Sequence, residues 1–256
     1  MMLMLYLHPT RLPTVRIPEH LRVEPWVMVP DFFDGNGNRC GRAMVPAGRV
    51  VFRNSAVVRD CGLTDLQVPG APQVNVQDLP QEALQFLLPS RYCEVDSELK
   101  ELAWQLFSST PAGWPRVEAV SNFVHDHIRF DYQQARATRT ALDVYRERVG
   151  VCRDYMHLAI TFCRCLNIPA RYCTGYLGDI GVPPVDSPMD FSAWFEAFLG
   201  GQWYAFDARN NVPRIGRVLM ARGRDAADVA ITTTFGVNQL QSFKVVTHEV
   251  PEGSLR

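Results

Sequence analysis

The stretch GVCRDYMHLAI, Gly150 to Ile160, places a cysteine directly after a Gly-Val pair and at the head of an apolar run. The run continues through Leu158, Ala159, Ile160, Phe162, Cys163 and Leu166 and is apolar almost all round, the pattern of a helix buried on every side. It predicts a central helix over 152–167, ended by Ile168-Pro169 because the residue before a proline disfavours helical backbone. Cys152 would then sit in the first turn. Unpaired N–H groups and the positive end of the helix dipole favour thiolate there, so its pKa is expected to fall. Arg153 could add positive potential.

Outward from that helix the periodicity changes. Downstream, ARYCTGYL, FSAWFEAFL and QWYAFDA read as strands, the last two joined by Gly200-Gly201 as a two-residue hairpin. That loop pairs Leu199 with Gln202 and places Ser192 and Asp207 as diagonal neighbours on one face. Upstream, two amphipathic helices are expected. One is capped by Asp96 and carries Leu99, Leu102, Ala103 and Leu106; the other opens at Trp114-Pro115. From Leu3 to about Val76 short β-branched runs are broken by turns such as DGNGN (Asp34–Asn38), and MMLMLYL reads as an opening strand. Four prolines between Pro69 and Pro89 mark a linker containing one short helical turn, LPQEALQFL. The expected organisation is α+β: a β domain with its linker over 1–84, then a core over 85–256 with the cysteine helix packed on an antiparallel sheet.

A net charge of −1 offers no basic field for phosphates, which argues against nucleic acid and anionic membranes as partners. The opening apolar run is too short for a secretory signal or a membrane span. Seven cysteines form an odd set without a paired framework, so free thiols and the cytoplasm are expected. No cofactor loop or metal-ligand spacing is present: His125 and His127 lie on divergent helical directions without a third ligand, and Asp179 with Asp186 is too sparse for calcium.

GVCRDYMHLAITFCRCLNIPARYCTGYLGD followed by DFSAWFEAFLGGQWYAFDARNN resembles the transglutaminase-like superfamily of papain-like thiol enzymes. FFDGNGNRCGRAMVPAG likewise resembles the β domain that often precedes that core. The resemblance implies a Cys-His-Asp triad with Cys152 as nucleophile, Asp207 as the orienting acid and an amide, peptide or isopeptide carbonyl as target. Trp194 reads first as hairpin core packing, with a substrate-facing role as the alternative because it lies beside the predicted site.

The chain departs from that pattern at the base. The usual first hairpin strand reads like HAWFE, and Ser192 stands where the family has histidine. Some bacterial members instead read FSAWFE followed by FDARHN, and here that second position is Asn210. Strand alternation would point Asn210 away from the neighbours of Asp207. His157, five residues after Cys152, is rotated about 140° from it on the helix and is expected to serve the core. His125 or His127 could approach from another helix, and Glu196 is too acidic for the task unless burial raises its pKa. Two functions remain open: a cysteine-dependent hydrolase or acyltransferase acting on a peptide, protein or small amide, or a binding protein that keeps the cleft without efficient turnover.

Overall fold

The computed structural model describes residues 1–183, 190–250 and 253. Asp186 lies outside them. The N-terminal third supplies seven short strands: β1 (Met2–Leu3), β2 (Val15–Ile17), β3 (Arg22–Glu24), β4 (Asp31–Phe33), β5 (Arg39–Arg42), β6 (Val51–Arg53) and β7 (Val57–Val58). Helices follow: α1 (Gln81–Leu84), α2 (Leu99–Phe107), α3 (Trp114–His127), then β8 (Arg129–Phe130), α4 (Ala141–Glu147), β9 (Val149–Gly150) and α5 (Cys152–Cys165). The chain closes with β10 (Ala170–Tyr176), β11 (Phe191–Leu199), β12 (Gln202–Phe206), β13 (Val218–Gly223) and β14 (Thr232–Thr233).

The architecture is α+β, with α5 enclosed between α2, α3 and α4 on one side and the antiparallel sheet β12-β11-β10-β13 on the other. Every residue of α5 from Asp154 to Cys165 is buried. The sheet faces divide cleanly. Ala193, Phe195, Ala197, Tyr204 and Phe206 join the core around α5, whereas Trp194, Cys173 and Leu219 pack on the opposite face. Gly200 and Gly201 take φ of 55° and 89°, the left-handed conformation a tight hairpin needs, and Leu199 pairs with Gln202 as the loop length requires.

Several local readings need correction. Leu99 takes its cap from Ser97 Oγ (3.3 Å) rather than from Asp96. The opening apolar run is a strand only over Met2–Leu3. Helix α4 was not expected: Thr140 and Asp143 form a reciprocal capping box that starts it, and Arg148 at φ 55° ends it. Strand β13 was not expected either: its short apolar run, flanked by Arg217 and Arg224 and carrying Arg222, is a strand because it lies against β10. The terminal regions are woven together, since β14 pairs with β1 in the sheet β14-β1-β5-β4. Among the described residues, no helix is long and apolar enough to cross a membrane.

Candidate active site

Cys152 is the first residue of α5, and the approach to it is built by a missing side chain. A Cβ on Gly150 would lie 2.7 Å from Asp154 Cβ and 2.8 Å from its Oδ2. Because glycine leaves that space open, the Asp154 carboxylate folds back and accepts the Val151 N–H at 3.0 Å. Asp154 is wholly buried, and Arg139 (3.1 Å) and Arg153 (3.0 Å) compensate its charge. The Arg153 guanidinium is therefore spent on Asp154 and on the Arg136 carbonyl (2.6 Å). The cation that acts on the Cys152 sulfur is Arg209.

The sulfur is partly buried, and the backbone N–H groups of Arg153 and Ala193 favour its thiolate. Burial pushes the thiol pKa up, and Asp207 adds to this; Arg209 and the two N–H groups oppose the rise without reversing it. The expected fall is thus overturned. A helix N-terminus lowers a thiol pKa only when desolvation does not outweigh it.

Asp207 follows the last residue of β12, where the chain leaves the sheet and turns over 208–210. Its Oδ1 accepts the backbone N–H of Arg209 (3.1 Å) and of Asn210 (3.0 Å). Its Oδ2 accepts the Asn210 side-chain amide (2.7 Å) and Arg217 Nη2 (2.9 Å). Strand alternation does not apply to this turn, so Asn210 folds onto Asp207 instead of pointing away from it. Arg217 also binds Asp65 (2.8 Å), and its own pKa is raised: burial opposes its charge, but the two carboxylates outweigh it.

The hairpin keeps the predicted register, and Arg217 joins Trp194 to Asp207 on one face; what differs from the expectation is how that face lies relative to α5. By the alternation of β11, Ser192 shares the Trp194 face, the one away from α5, and its buried hydroxyl has no partner among the described residues. The element of β11 that meets the sulfur is the Ala193 backbone. Trp194 is 2% exposed, held among Cys173, Leu219 and the Arg217 guanidinium (5.2 Å from the ring centre), so it serves the sheet and is closed to a ligand. Glu196 binds Arg171 (2.6 Å) and Arg222 (3.1 Å), which hold its pKa down despite burial.

The three histidines weighed as bases, His157, His127 and His125, are committed elsewhere. His157 stacks on Tyr92 at 4.8 Å, and its Nε2 accepts the Ala226 N–H (3.2 Å). His127 donates from Nε2 to the Tyr145 carbonyl (2.7 Å). His125 donates from Nδ1 to the carbonyls of Ala208 (3.1 Å) and Arg209 (3.0 Å), so it braces the turn from behind. Among the described residues no three His, Cys, Asp or Glu side chains converge as a metal set.

Residues 100–208, from α2 through the turn after β12, match the model of the transglutaminase-like superfamily. The fold is shared with the crystal structure of a "putative cysteine protease" from Cytophaga hutchinsonii: 32% identity, TM-score 0.75, covering 92% of this chain and 80% of that one. An uncharacterised protein of Mycobacterium leprae is 34% identical over 94 residues, 36% of this chain; the match spans one third (33%) of that relative's length. A more remote likeness is to the periplasmic domain of TgpA from Pseudomonas aeruginosa (16% identity, TM-score 0.43, 76% of this chain and 88% of that one). This is the papain-like, cysteine-dependent class of hydrolases and acyltransferases. The chain belongs to the transglutaminase-like superfamily.

Proposed function

We propose that this chain performs cysteine-dependent acyl chemistry on an amide, peptide or isopeptide carbonyl, with Cys152 as the attacking thiol and with turnover held low by Asn210. The observation that carries this reading is the placement of the Cys152 sulfur at the start of α5, beside the N–H groups of Arg153 and Ala193 and the cation of Arg209. In that setting the thiolate adds to the carbonyl carbon, and inward-facing N–H groups of the kind seen there would meet the charge developing on oxygen. Collapse then expels the amine, which needs a proton. Papain-like sites supply it from an imidazole; here Asp207 holds an amide side chain that neither accepts nor delivers a proton at neutral pH. Acylation by an activated ester, whose leaving group needs no proton, should therefore outpace cleavage of an amide.

A second reading has its own support. The raised thiol pKa and the full engagement of Asp207 suit a module that binds a peptide-like ligand without processing it. Stopped-flow reaction with p-nitrophenyl acetate separates the two. Acyl chemistry gives a burst of one nitrophenolate per chain that Cys152→Ser abolishes, followed by slow turnover. If no burst appears and no acyl group is found on Cys152 by peptide mass, the binding module is the correct reading.

A further inference from the structure

Arg209 stands out among the charged groups around Cys152 because it is left over. Asp154 is paired with Arg139 and Arg153, Asp131 with Arg129, Glu147 with Arg136 and Arg139, and Asp207 with Arg217 and the Asn210 amide. Among the described residues the Arg209 guanidinium makes no ion pair and donates no hydrogen bond to the chain, and it is partly open to solvent. Its backbone is nevertheless fixed. The N–H is held by Asp207 and the carbonyl by His125.

The guanidinium sits over the Phe130 ring, its central carbon 4.2 Å from the ring centre. Phe130 pairs with Gly150 in the β8–β9 ladder, two residues before Cys152. Its ring meets the edge of Tyr132 at 4.7 Å and leans on Tyr155, three residues along α5 from the cysteine. The cation thus rests on an aromatic shelf whose first ring, Phe130, is paired two residues before the thiol. The groups whose ionisation it biases (Cys152, Tyr132 and Tyr155) surround that same spot. A guanidinium held over a ring without an acceptor of its own keeps N–H groups that can meet a carboxylate in a two-pronged bond.

We propose that Arg209 is a carboxylate-binding subsite beside Cys152, so that the acyl donor presented to the thiol carries a carboxylate near the carbonyl that is attacked. The proposal rests on Cys152 being the acyl-accepting thiol and adds the class of substrate: acidic acyl donors, such as peptides whose free carboxylate lies close to the target bond.

Two alkylating reagents of nearly equal size test it on the full chain. The rates of iodoacetate, an anion, and iodoacetamide, which is neutral, are measured at Cys152 by peptide mass, each divided by its rate with a small free thiol. At low salt the normalised ratio should favour iodoacetate by about four- to twentyfold, as expected for unit charges some 5 Å apart at intermediate screening. Arg209→Gln should bring the ratio to about one, and Arg209→Lys should retain part of it. A ratio of one in the parent, or an unchanged preference in Arg209→Gln, overturns the subsite while leaving Cys152 reactive. Failure of both reagents to label Cys152 in the native protein overturns instead the reading of this thiol as acyl acceptor. Protection needs no variant: N-acetyl-alanyl-alanine should slow iodoacetamide labelling of Cys152 and its C-terminal amide should not, and equal protection by the two refutes the subsite.

Discussion

The Asp207 carboxylate accepts the side-chain amide of Asn210 at 2.7 Å, through the same oxygen that Arg217 reaches at 2.9 Å. An imidazole at position 210 could place its Nδ1–H close to where the Asn210 amide nitrogen now lies, keeping the bond to Asp207 and extending Nε2 beyond it. Asn210→His is therefore expected to accelerate amide and ester turnover by about 10²- to 10⁴-fold, the usual contribution of a positioned general base. Steady-state rates on a chromogenic amide check this, with Asn210→Gln as the control that lengthens the side chain without adding a base. A fold-neutral Asn210→His with parental rates would show that position 210 does not address the sulfur.

Ser192→His should give no such gain. Although the family pattern puts histidine at that position, Ser192 is 3% exposed and lies on the sheet face away from α5. A larger side chain at this buried position overpacks the face that Trp194, Cys173 and Leu219 already fill. The expected result is unchanged turnover and a loss of about 1–3 kcal/mol in stability by urea denaturation. A rate gain that depends on Asp207 would show that this face reaches the sulfur.

The thiols should react in an order set by access and by proton affinity. Cys61 is exposed and is expected to be alkylated first; Cys152, partly buried, follows. Burial raises the pKa of Cys40 and Cys93 to about 11 and of Cys165 to about 12, so these remain silent in the folded protein. The thiol pKa of Cys152 is also raised, so its alkylation rate should still be climbing at a pH where an ordinary thiol has levelled off. Arg209→Gln should push that profile higher still, since the cation opposes the rise. Time-resolved peptide mapping between pH 6 and 10 measures both effects.

The central helix and the hairpin register were legible because their signals are local: apolar residues on every face mark a buried helix, and a two-glycine loop fixes strand pairing. Family pattern added Cys152 and Asp207. What escaped was everything decided by the tertiary partner. The Asp207 turn breaks strand alternation, so Asn210 could not be placed by counting. Arg209, Arg217 and Arg139 read only as charged residues, because their roles come from acids and rings brought from elsewhere in the chain. The net effect on the Cys152 pKa likewise depended on how much of the sulfur the fold removes from water.

Acid lability should trace to buried histidines. The pKa of His157 is pushed well below the ordinary value, first by burial and then by Arg153 and Arg164, and that of His8 is lowered to about 4 by burial and Arg222. A depressed folded pKa means that the unfolded chain binds the extra proton. The contribution to stability is complete above the unfolded pKa near 6.5 and is lost as pH falls toward the folded value. Each group contributes a slope of up to about 1.4 kcal/mol per pH unit below that point. Urea midpoints from pH 7.5 to 4.5 should fall more gently in His157→Gln than in the parent, even if the variant is less stable at pH 7.5. Parallel curves would remove His157 as a source of the slope.

The start of the cysteine helix hangs on Asp154, and substitution there should separate its charge from its capping bond. Asp154 accepts the Val151 N–H and is ion-paired with Arg139, itself 2% exposed and shared with Glu147 at 3.0 Å. Asp154→Asn keeps an oxygen for the N–H but leaves the buried Arg139 partly uncompensated, an imbalance that costs about 3–5 kcal/mol. Gly150→Ala attacks the same contact from the other side: the added methyl falls 2.8 Å from Asp154 Oδ2, so the carboxylate must swing out or the β9 backbone must shift. Both substitutions should therefore displace the first turn of α5, and with it the Cys152 sulfur, rather than only weaken the core. The discriminating measurement is Cys152 reactivity relative to Cys61 at equal fractional folding. A selective change at Cys152 in both variants is expected. If Gly150→Ala and Asp154→Asn lower stability yet leave that ratio at its parental value, the Asp154 contact is structural support for the fold alone and does not position the thiol.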